Sequence, residues 1–192
     1  MTTSLIPFIR ALITLQPAET ALVQLLFKEK RYKKGDFFLE EGKICRYAGF
    51  IEKGIMRYYI NHDGEEKNYG FSRENNFVCN LESFAPQKPS HQVIQALEDC
   101  TVFVISYADL QQFYLEINEG ERFGRLVIEQ VFIQTLQDLN SFYTDTPERR
   151  YAKFINDHPD LQQRISQYHI ASYVGVKAQS LSRIRKRILK GL

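Results

Sequence analysis

The sequence lacks the features of a membrane or secreted protein. It has no apolar run of about 18 residues, the length that a transmembrane helix needs. Residues 1–10 lack the basic start, the apolar block and the small-residue cleavage site of a secretion leader. We therefore expect a cytoplasmic protein that does not contact a membrane. Its 192 residues suit one large domain or two small ones.

The sequence is also poor in metal-binding and disulfide-forming residues. Its three cysteines, Cys45, Cys79 and Cys100, are far apart and form no CxxC pair, which argues against a disulfide framework or a zinc site. Its four histidines are scattered, whereas an enzyme on a cupin-like barrel would need a cluster of histidines and carboxylates. We predict no catalytic residues, no metal and no cofactor, and hence not an enzyme.

The formal net charge of +2 is unevenly distributed along the chain. Residues 147–192 contain ten basic and three acidic residues, a net charge of +7, whereas residues 1–146 have a net charge of −5. A split of this size suggests that the C-terminal segment meets a polyanion. The alternative is a solvated basic helix.

The middle of the chain has the pattern of an antiparallel β-structure. After a helical stretch that starts at Pro17, short apolar or alternating runs follow from Tyr32 to Tyr107, separated by turn residues. Several short strands at roughly 8–12-residue spacing indicate a sandwich or barrel. The Asp63–Gly64 pair predicts a tight hairpin turn, since glycine accepts the positive φ needed there.

A long helix is predicted after this region, from Glu116 to Phe142. The segment has no proline, and its apolar stripe is too wide for one buried face. It could lie along the barrel as a core helix, but we favour a dimerisation helix that packs against a second copy. The predicted dimer contacts are Leu126, Ile133, Leu136 and Leu139.

A new helix is predicted at Thr146–Pro147–Glu148, since threonine is a good N-cap and proline is tolerated at the first helical position. We place a boundary at Asp145. The predicted segments are residues 1–115 for a β-barrel effector domain, 116–145 for the dimerisation helix and 146–192 for a DNA-binding domain.

Residues 165–189 have the pattern of a helix-turn-helix. Ser166 can cap a short helix, and Gly175 falls where the chain must turn sharply. A second helix follows, with Leu181, Ile184 and Ile188 predicted to face inward. In this arrangement the second helix enters the major groove of DNA.

The outer face of that second helix carries side chains suited to DNA. Arg183 can contact guanine O6 and N7, and Gln179 can pair with adenine N6 and N7. Lysines and arginines around them would neutralise phosphates. The predicted DNA-binding residues are Lys177, Gln179, Ser180, Ser182, Arg183, Lys186, Arg187 and Lys190.

Taken together, these motifs resemble the cyclic-AMP receptor (Crp/Fnr) family of bacterial transcription regulators. The C-terminal likeness rests on IASYVGV at 170–176 and QSLSRI at 179–184. The N-terminal likeness rests on KKGD at 33–36, EG at 41–42, FIEKG at 50–54 and VFVISY at 102–107. The resemblance implies an α+β fold with an N-terminal jelly-roll β-barrel, a long dimerisation helix and a C-terminal helix-turn-helix. We expect the last to be winged-helix-like, with the wing short or absent.

The resemblance also implies an effector pocket in the barrel, but the residues depart from the cyclic-nucleotide pattern. Cys79–Asn80 replace the family's Gly-Glu pair, Ser90 falls at or near the family's arginine, and no arginine occurs between Arg73 and Arg122. Without that cation a buried phosphate would be poorly compensated, so we predict weak or absent cyclic-AMP binding. Another small molecule could bind instead, or the pocket could be collapsed. The candidate pocket residues are Tyr69, Phe71, Cys79, Asn80, Ser83, Ser90, His91 and Thr135.

Other sensing chemistries are poorly supported, because an iron–sulfur cluster would need several cysteines near the N-terminus. His62 and His91 are haem-ligand candidates by type only. The sequence thus predicts a homodimeric regulator that binds double-stranded DNA and senses an unknown small-molecule effector, with RNA polymerase a further candidate partner. The alternative is a ligand-binding signalling module that acts through a protein partner rather than DNA.

Overall fold

A computed structural model describes residues 4–189 of the chain. The described helices are α1 (Leu5–Leu12), α2 (Pro17–Leu26), α3 (Leu81–Phe84), α4 (Tyr107–Glu116), α5 (Gly120–Thr144), α6 (Pro147–Asp157), α7 (Leu161–Arg164), α8 (Gln167–Val174) and α9 (Ala178–Leu189). The described strands are β1 (Lys28–Tyr32), β2 (Phe37–Leu39), β3 (Tyr47–Lys53), β4 (Met56–His62), β5 (Glu65–Ser72), β6 (Phe77–Val78), β7 (Gln92–Ala96) and β8 (Cys100–Ser106).

The strands form two four-stranded sheets, which confirms the predicted jelly-roll barrel and the α+β class. One sheet has the order β1-β8-β3-β6 and the other the order β2-β7-β4-β5. The pairings β1–β8, β2–β7, β3–β6, β3–β8 and β4–β7 are all antiparallel. The hairpin turn between β4 and β5 is formed by Asp63 and Gly64 with φ of 51° and 76°, as the Asp-Gly pair predicted.

Two apolar clusters bury the sheet residues. One lies between the sheets and includes Met56, Val78 and Val102. The other packs α1, α2, α4 and the start of α5 onto the barrel, with Phe50 at its centre. The ring of Phe50 lies 5.2 Å from that of Phe8 and 5.4 Å from that of Phe77. Aromatic pairs at this separation add to the burial energy of each ring.

The long helix begins later than predicted, because the chain breaks between α4 and α5. Ile117 is buried with an extended backbone, and the N–H of Gly120 donates to its carbonyl at 2.8 Å. A Cβ at Gly120 would lie 2.5 Å from the Phe113 carbonyl oxygen, so the turn requires glycine. Glu116 therefore ends α4, and α5 has 25 residues rather than about 27.

The described chain divides into two compact units. The first combines the residues up to Ile60 with Phe71–Gln130, and the second combines Asn61–Gly70 with the residues from Val131 onward. The tip of the β4–β5 hairpin thus belongs to the same unit as the C-terminal helices. Between residues 4 and 189, no helix combines the length and the apolar character needed to cross a membrane.

Candidate nucleic-acid interface and effector site

The turn between α8 and α9 has the geometry that a helix-turn-helix requires. Gly175 is left-handed, with φ 79° and ψ 34°. Its N–H donates to the Ser172 carbonyl at 3.0 Å, and the N–H of Val176 donates to the Ala171 carbonyl at 2.9 Å. These two bonds form a Schellman motif, which ends α8 and sets the direction of α9. At the other end of α8, the Ser166 hydroxyl accepts from the N–H of His169, as predicted.

The core of this helix pair is largely the predicted one. Ile170 and Val174 of α8 are buried, and so are Leu181 and Ile184 of α9. Ile188 is not, because 38% of its surface is exposed, and this part of the prediction is wrong. The eight residues of α8 span only about two turns, and Leu181 and Ile184 already cover its apolar face.

The opposite face of α9 is exposed and polar. Gln179, Ser182, Arg183 and Lys186 project from it. The remaining predicted DNA-binding residues with described side chains, Lys177, Ser180 and Arg187, are also exposed. Arg187 already donates to the Glu148 carboxylate at 2.7 Å, so a phosphate would compete with that carboxylate for it. Lys190 lies outside the described residues.

Arg150 stabilises the α8–α9 helix pair by hydrogen bonds that the sequence does not reveal. Its guanidinium donates to the carbonyls of Val174 at 2.8 Å and Asp145 at 2.7 Å. It therefore holds the end of α8 against the end of α5, beside Gly175. Its acceptors are backbone carbonyls, which every residue has, so no residue pattern could have indicated the contact.

The hairpin tip in the same unit is hydrogen-bonded to α8. The N–H of Asn68 donates to the Ser172 hydroxyl at 2.9 Å, and that hydroxyl donates to the Glu66 carbonyl at 2.8 Å. Ser172 is partly buried, and both of its bonds join residues more than 100 positions apart. The start of β5 thus restrains the first helix of the helix-turn-helix.

One face of α5 presents large apolar side chains to solvent. Ile133, Leu136 and Leu139, three of the predicted dimer residues, are 42–55% exposed. The fourth, Leu126, is only partly exposed. Ile128 and Phe132 extend the same face, and Phe132 is 60% exposed. Exposed apolar area of this density marks an interaction surface.

The eight candidate pocket residues do not form a single site within either unit. Tyr69 and Thr135 line a cavity of about 290 Å³ in the second unit, together with Asp138, Lys153 and Tyr173. Phe71, Cys79, Asn80, Ser83, Ser90 and His91 belong to the first unit. Of these, Phe71 is half-buried and His91 is exposed. His62, the other haem candidate, is exposed beside Asp63.

The buried polar residues at the end of the barrel satisfy one another. The Asn80 carbonyl oxygen accepts from the N–H of Ser83 at 2.8 Å and so caps α3, while its amide donates to the Gln92 side chain. The Ser83 hydroxyl accepts from the N–H of Cys45 at 2.9 Å and donates to the Lys88 carbonyl. The Ser90 hydroxyl accepts from the N–H of Gln92. A ligand here would have to displace these bonds.

Among the described residues, the hydrogen bonds of Asn80, Ser83 and Ser90 involve no lysine or arginine side chain. The buried arginine of the barrel sheets, Arg57, lies on the opposite face of β4 from Met56 and Tyr58. Its guanidinium stacks on Tyr59 at 4.0 Å and donates to the Gln95 side chain. The residues present therefore do not fit the cyclic phosphate of a nucleotide, which needs a positive partner when it is buried.

The barrel region matches a protein family, and the whole chain matches solved structures. Residues 29–116 match the family model of the cyclic nucleotide-binding domain. No curated protein sequence matches the chain. Among solved structures, the c-di-GMP responsive global regulator CLP of Xanthomonas campestris is 16% identical with a TM-score of 0.69, and the match covers 92% of this chain and 93% of CLP.

Two further structures have the same fold. FixK2 of Bradyrhizobium japonicum is 15% identical with a TM-score of 0.69, over 86% of this chain and 85% of its own. A transcriptional regulator of the Crp/Fnr family from Eubacterium rectale is 16% identical with a TM-score of 0.69, over 93% and 86%. The predicted resemblance is thereby confirmed. Residues 29–116 match the cyclic nucleotide-binding domain, and the chain as a whole has the fold of these regulators.

Proposed function

We propose that this protein is a transcription regulator that binds double-stranded DNA as a homodimer. The observation that carries the proposal is the exposed face of α9, on which Gln179, Arg183 and Lys186 stand over a buried helix-turn-helix core. Lysine and arginine on such a face neutralise phosphates, and arginine and glutamine read base edges in the major groove.

Acidic groups near α9 separate its basic side chains into those that have a carboxylate nearby and those that we assign to DNA contact. Glu148 pairs with Arg187, whereas Glu65 of the hairpin pairs with Lys67 and attracts Lys177 more weakly. These carboxylates leave Gln179, Arg183 and Lys186 as the exposed side chains that we assign to DNA contact. Arg183 is assigned to a base and Lys186 to a phosphate.

The homodimer is supported by the exposed apolar face of α5. Two copies packed along this face would bring two recognition helices into one assembly. A dimer of this kind reads two half-sites about 34 Å apart, one turn of the DNA helix. Contact with RNA polymerase stays a prediction.

Arg183→Ala should weaken specific DNA binding more than non-specific binding. A bidentate arginine–guanine contact discriminates by about 1–3 kcal/mol, or roughly 5- to 150-fold in affinity. The operator is first selected from random duplexes by the wild-type protein. Fluorescence anisotropy then gives the dissociation constants for the operator and for a scrambled duplex.

The control for this experiment is Arg46→Ala. Arg46 is an exposed arginine of the first unit, so the variant removes the same charge away from α9. We expect it to change neither dissociation constant. Equal losses on both duplexes for Arg183→Ala would contradict the base-reading role. Failure of the wild type to bind any duplex would instead favour the protein-partner alternative.

Cyclic nucleotides are not the effector that these residues favour, even though the domain family is named for them. At the barrel end Asn80, Ser83 and Ser90 are already hydrogen-bonded, and Arg57 is engaged on the other face of its strand. A small molecule that binds here must therefore carry little negative charge or recruit a cation of its own.

Isothermal titration with cyclic AMP and cyclic GMP should accordingly show no low-micromolar binding. The physical reason is that the phosphate would lose its hydration without gaining a positive partner. Micromolar binding to the wild type that disappears in Asn80→Ala and Ser90→Ala would show that the barrel end holds the nucleotide after all. Leu81→Ala, an exposed neighbour, serves as the control substitution.

A further inference from the structure

Two of the three cysteines meet at the barrel end, although 33 residues separate them in the sequence. Cys45 precedes β3 and Cys79 follows β6, and these strands pair antiparallel with Gly49 opposite Val78. This pairing brings the start of β3 beside the end of β6. The two sulfurs are close enough to act on each other, the backbone N–H of Asn80 also reaches the Cys45 sulfur, and the Cys45 thiol donates to the Tyr47 carbonyl at 3.3 Å.

From this juxtaposition we propose that Cys45 and Cys79 form an oxidisable thiol pair, a modification site for two-electron oxidants such as hydrogen peroxide. Cys45 is the attacking thiolate, and Cys79 is the thiol that resolves the oxidised product. Cys79, together with its neighbour Asn80, occupies the position where the resemblance to cyclic-nucleotide-binding regulators places the Gly-Glu motif.

The surroundings of the two sulfurs assign these roles. The interaction with Cys79 lowers the pKa of Cys45, with the Asn80 N–H as a further donor. The same interaction, together with burial, raises the pKa of Cys79. Of the two sulfurs, Cys45 is therefore the one that loses its proton more readily. Thiolates and not thiols attack peroxides, so Cys45 reacts first.

Burial protects the site from larger reagents. Cys45 is only 1% exposed and Cys79 is partly buried, so a molecule the size of hydrogen peroxide has an advantage over bulky oxidants. The phenol of Tyr58 is close by, and burial raises its pKa, so it stays neutral. Tyr58 therefore does not compete with Cys45 as a nucleophile.

The reaction proceeds in two balanced steps. The Cys45 thiolate attacks one peroxide oxygen, so that an S–O bond forms, the O–O bond breaks, and the hydroxide released takes up a proton as water. The Cys79 sulfur then loses its proton and attacks the Cys45 sulfur, so that the S–S bond forms and the S–O bond breaks. The departing hydroxide takes that proton as a second water. Two thiols are oxidised and one peroxide is reduced.

Cys100 provides a matched control within the same chain. It is buried, its thiol faces the carbonyls of Ile55 and Glu98, and burial raises its pKa to about 11. Cys100 is a buried thiol like Cys45, but the interactions described for it involve no second cysteine. Under the proposal, Cys100 stays reduced at peroxide concentrations that oxidise the other two cysteines.

The test uses the full chain, reduced, desalted and treated with a small excess of hydrogen peroxide. Wild type and Cys100→Ser should lose the mass of two hydrogens as monomers, and the wild type should retain one alkylatable thiol. Trypsin with a glutamate-specific protease should release Ile44–Arg46 linked to Asn75–Glu82, because cleavage after Glu82 and Glu98 separates Cys79 from Cys100.

The single variants distinguish the two roles. Cys79→Ser should stop at a sulfenic acid on Cys45 that dimedone traps. Cys45→Ser should consume peroxide at least tenfold more slowly. Three alkylatable thiols in treated wild type, a link that involves Cys100, or a disulfide only between chains would overturn the proposal. The wild-type peptide map decides the question even where a variant does not fold, and none of these readouts depends on DNA binding.

Discussion

Gly54→Ala is expected to destabilise the barrel strongly, although it adds only one methyl group. Gly54 is buried with φ +103°, a conformation that side chains rarely adopt, which costs about 1–3 kcal/mol. An added Cβ would also lie 2.5 Å from the Cys100 sulfur and 2.9 Å from the Cys100 Cα. Because the backbone cannot move aside freely, overpacking adds about 1–3 kcal/mol.

Urea denaturation checks this expectation, with Gly35→Ala as the matched control. Gly35 has φ +94° but nothing within 4 Å of an added Cβ, so its variant carries the backbone cost alone. Gly54→Ala should therefore lose clearly more stability than Gly35→Ala, a large share of the roughly 5–15 kcal/mol of a typical domain. Equal losses of stability in the two variants would show that Cys100 moves aside without a cost in free energy.

Leu136→Glu should convert the proposed dimer into a monomer. Leu136 is one of the exposed apolar residues on α5, and two-fold packing would bury two added carboxylates without partners. We expect the dimer dissociation constant to rise at least 100-fold, which corresponds to about 2.7 kcal/mol. Sedimentation velocity over a concentration series measures the shift.

Gln134→Glu is the control for Leu136→Glu, because it adds the same charge two positions away on α5. Gln134 is exposed and lies about 160° round the helix from Leu136, on the side opposite the apolar face. It should leave the dimer intact, and DNA affinity should fall with dimerisation in Leu136→Glu only. A wild type that sediments as a monomer at every concentration would contradict the proposed homodimer.

Elements with a local signal were predictable from the sequence. Turn residues and alternating apolar runs indicated the β-structure between Tyr32 and Tyr107, and Thr146 and Ser166 marked two helix starts that the structure confirms. By contrast, β1 has the charged sequence KEKRY and was not predicted. It exists because its backbone pairs with β8 along all five residues, and that pairing depends little on its side chains.

In the candidate site, too, features that depend on neighbouring residues were predicted and features that depend on tertiary packing were missed. The apolar period and Gly175 predicted the helix-turn-helix, because each feature depends on residues a few positions apart. The break at Ile117 between α4 and α5 was missed, because it depends on packing against Phe113 and Phe123 of the barrel-side cluster. Ile188 was wrongly predicted to be buried, because the spacing of apolar residues in α9 does not reveal where the partner helix α8 ends.

The sequence by itself therefore determined the jelly-roll pattern, the helix-turn-helix, the polarity of α9 and the absence of arginine between Arg73 and Arg122. All of these follow from residue type and short spacing. Only the tertiary structure decided that Arg150 braces α8, that Ser172 holds the β4–β5 hairpin, and that Cys45 meets Cys79. These contacts join residues from 24 to 104 positions apart. Their partners are set by the path of the folded backbone, which a local pattern does not record.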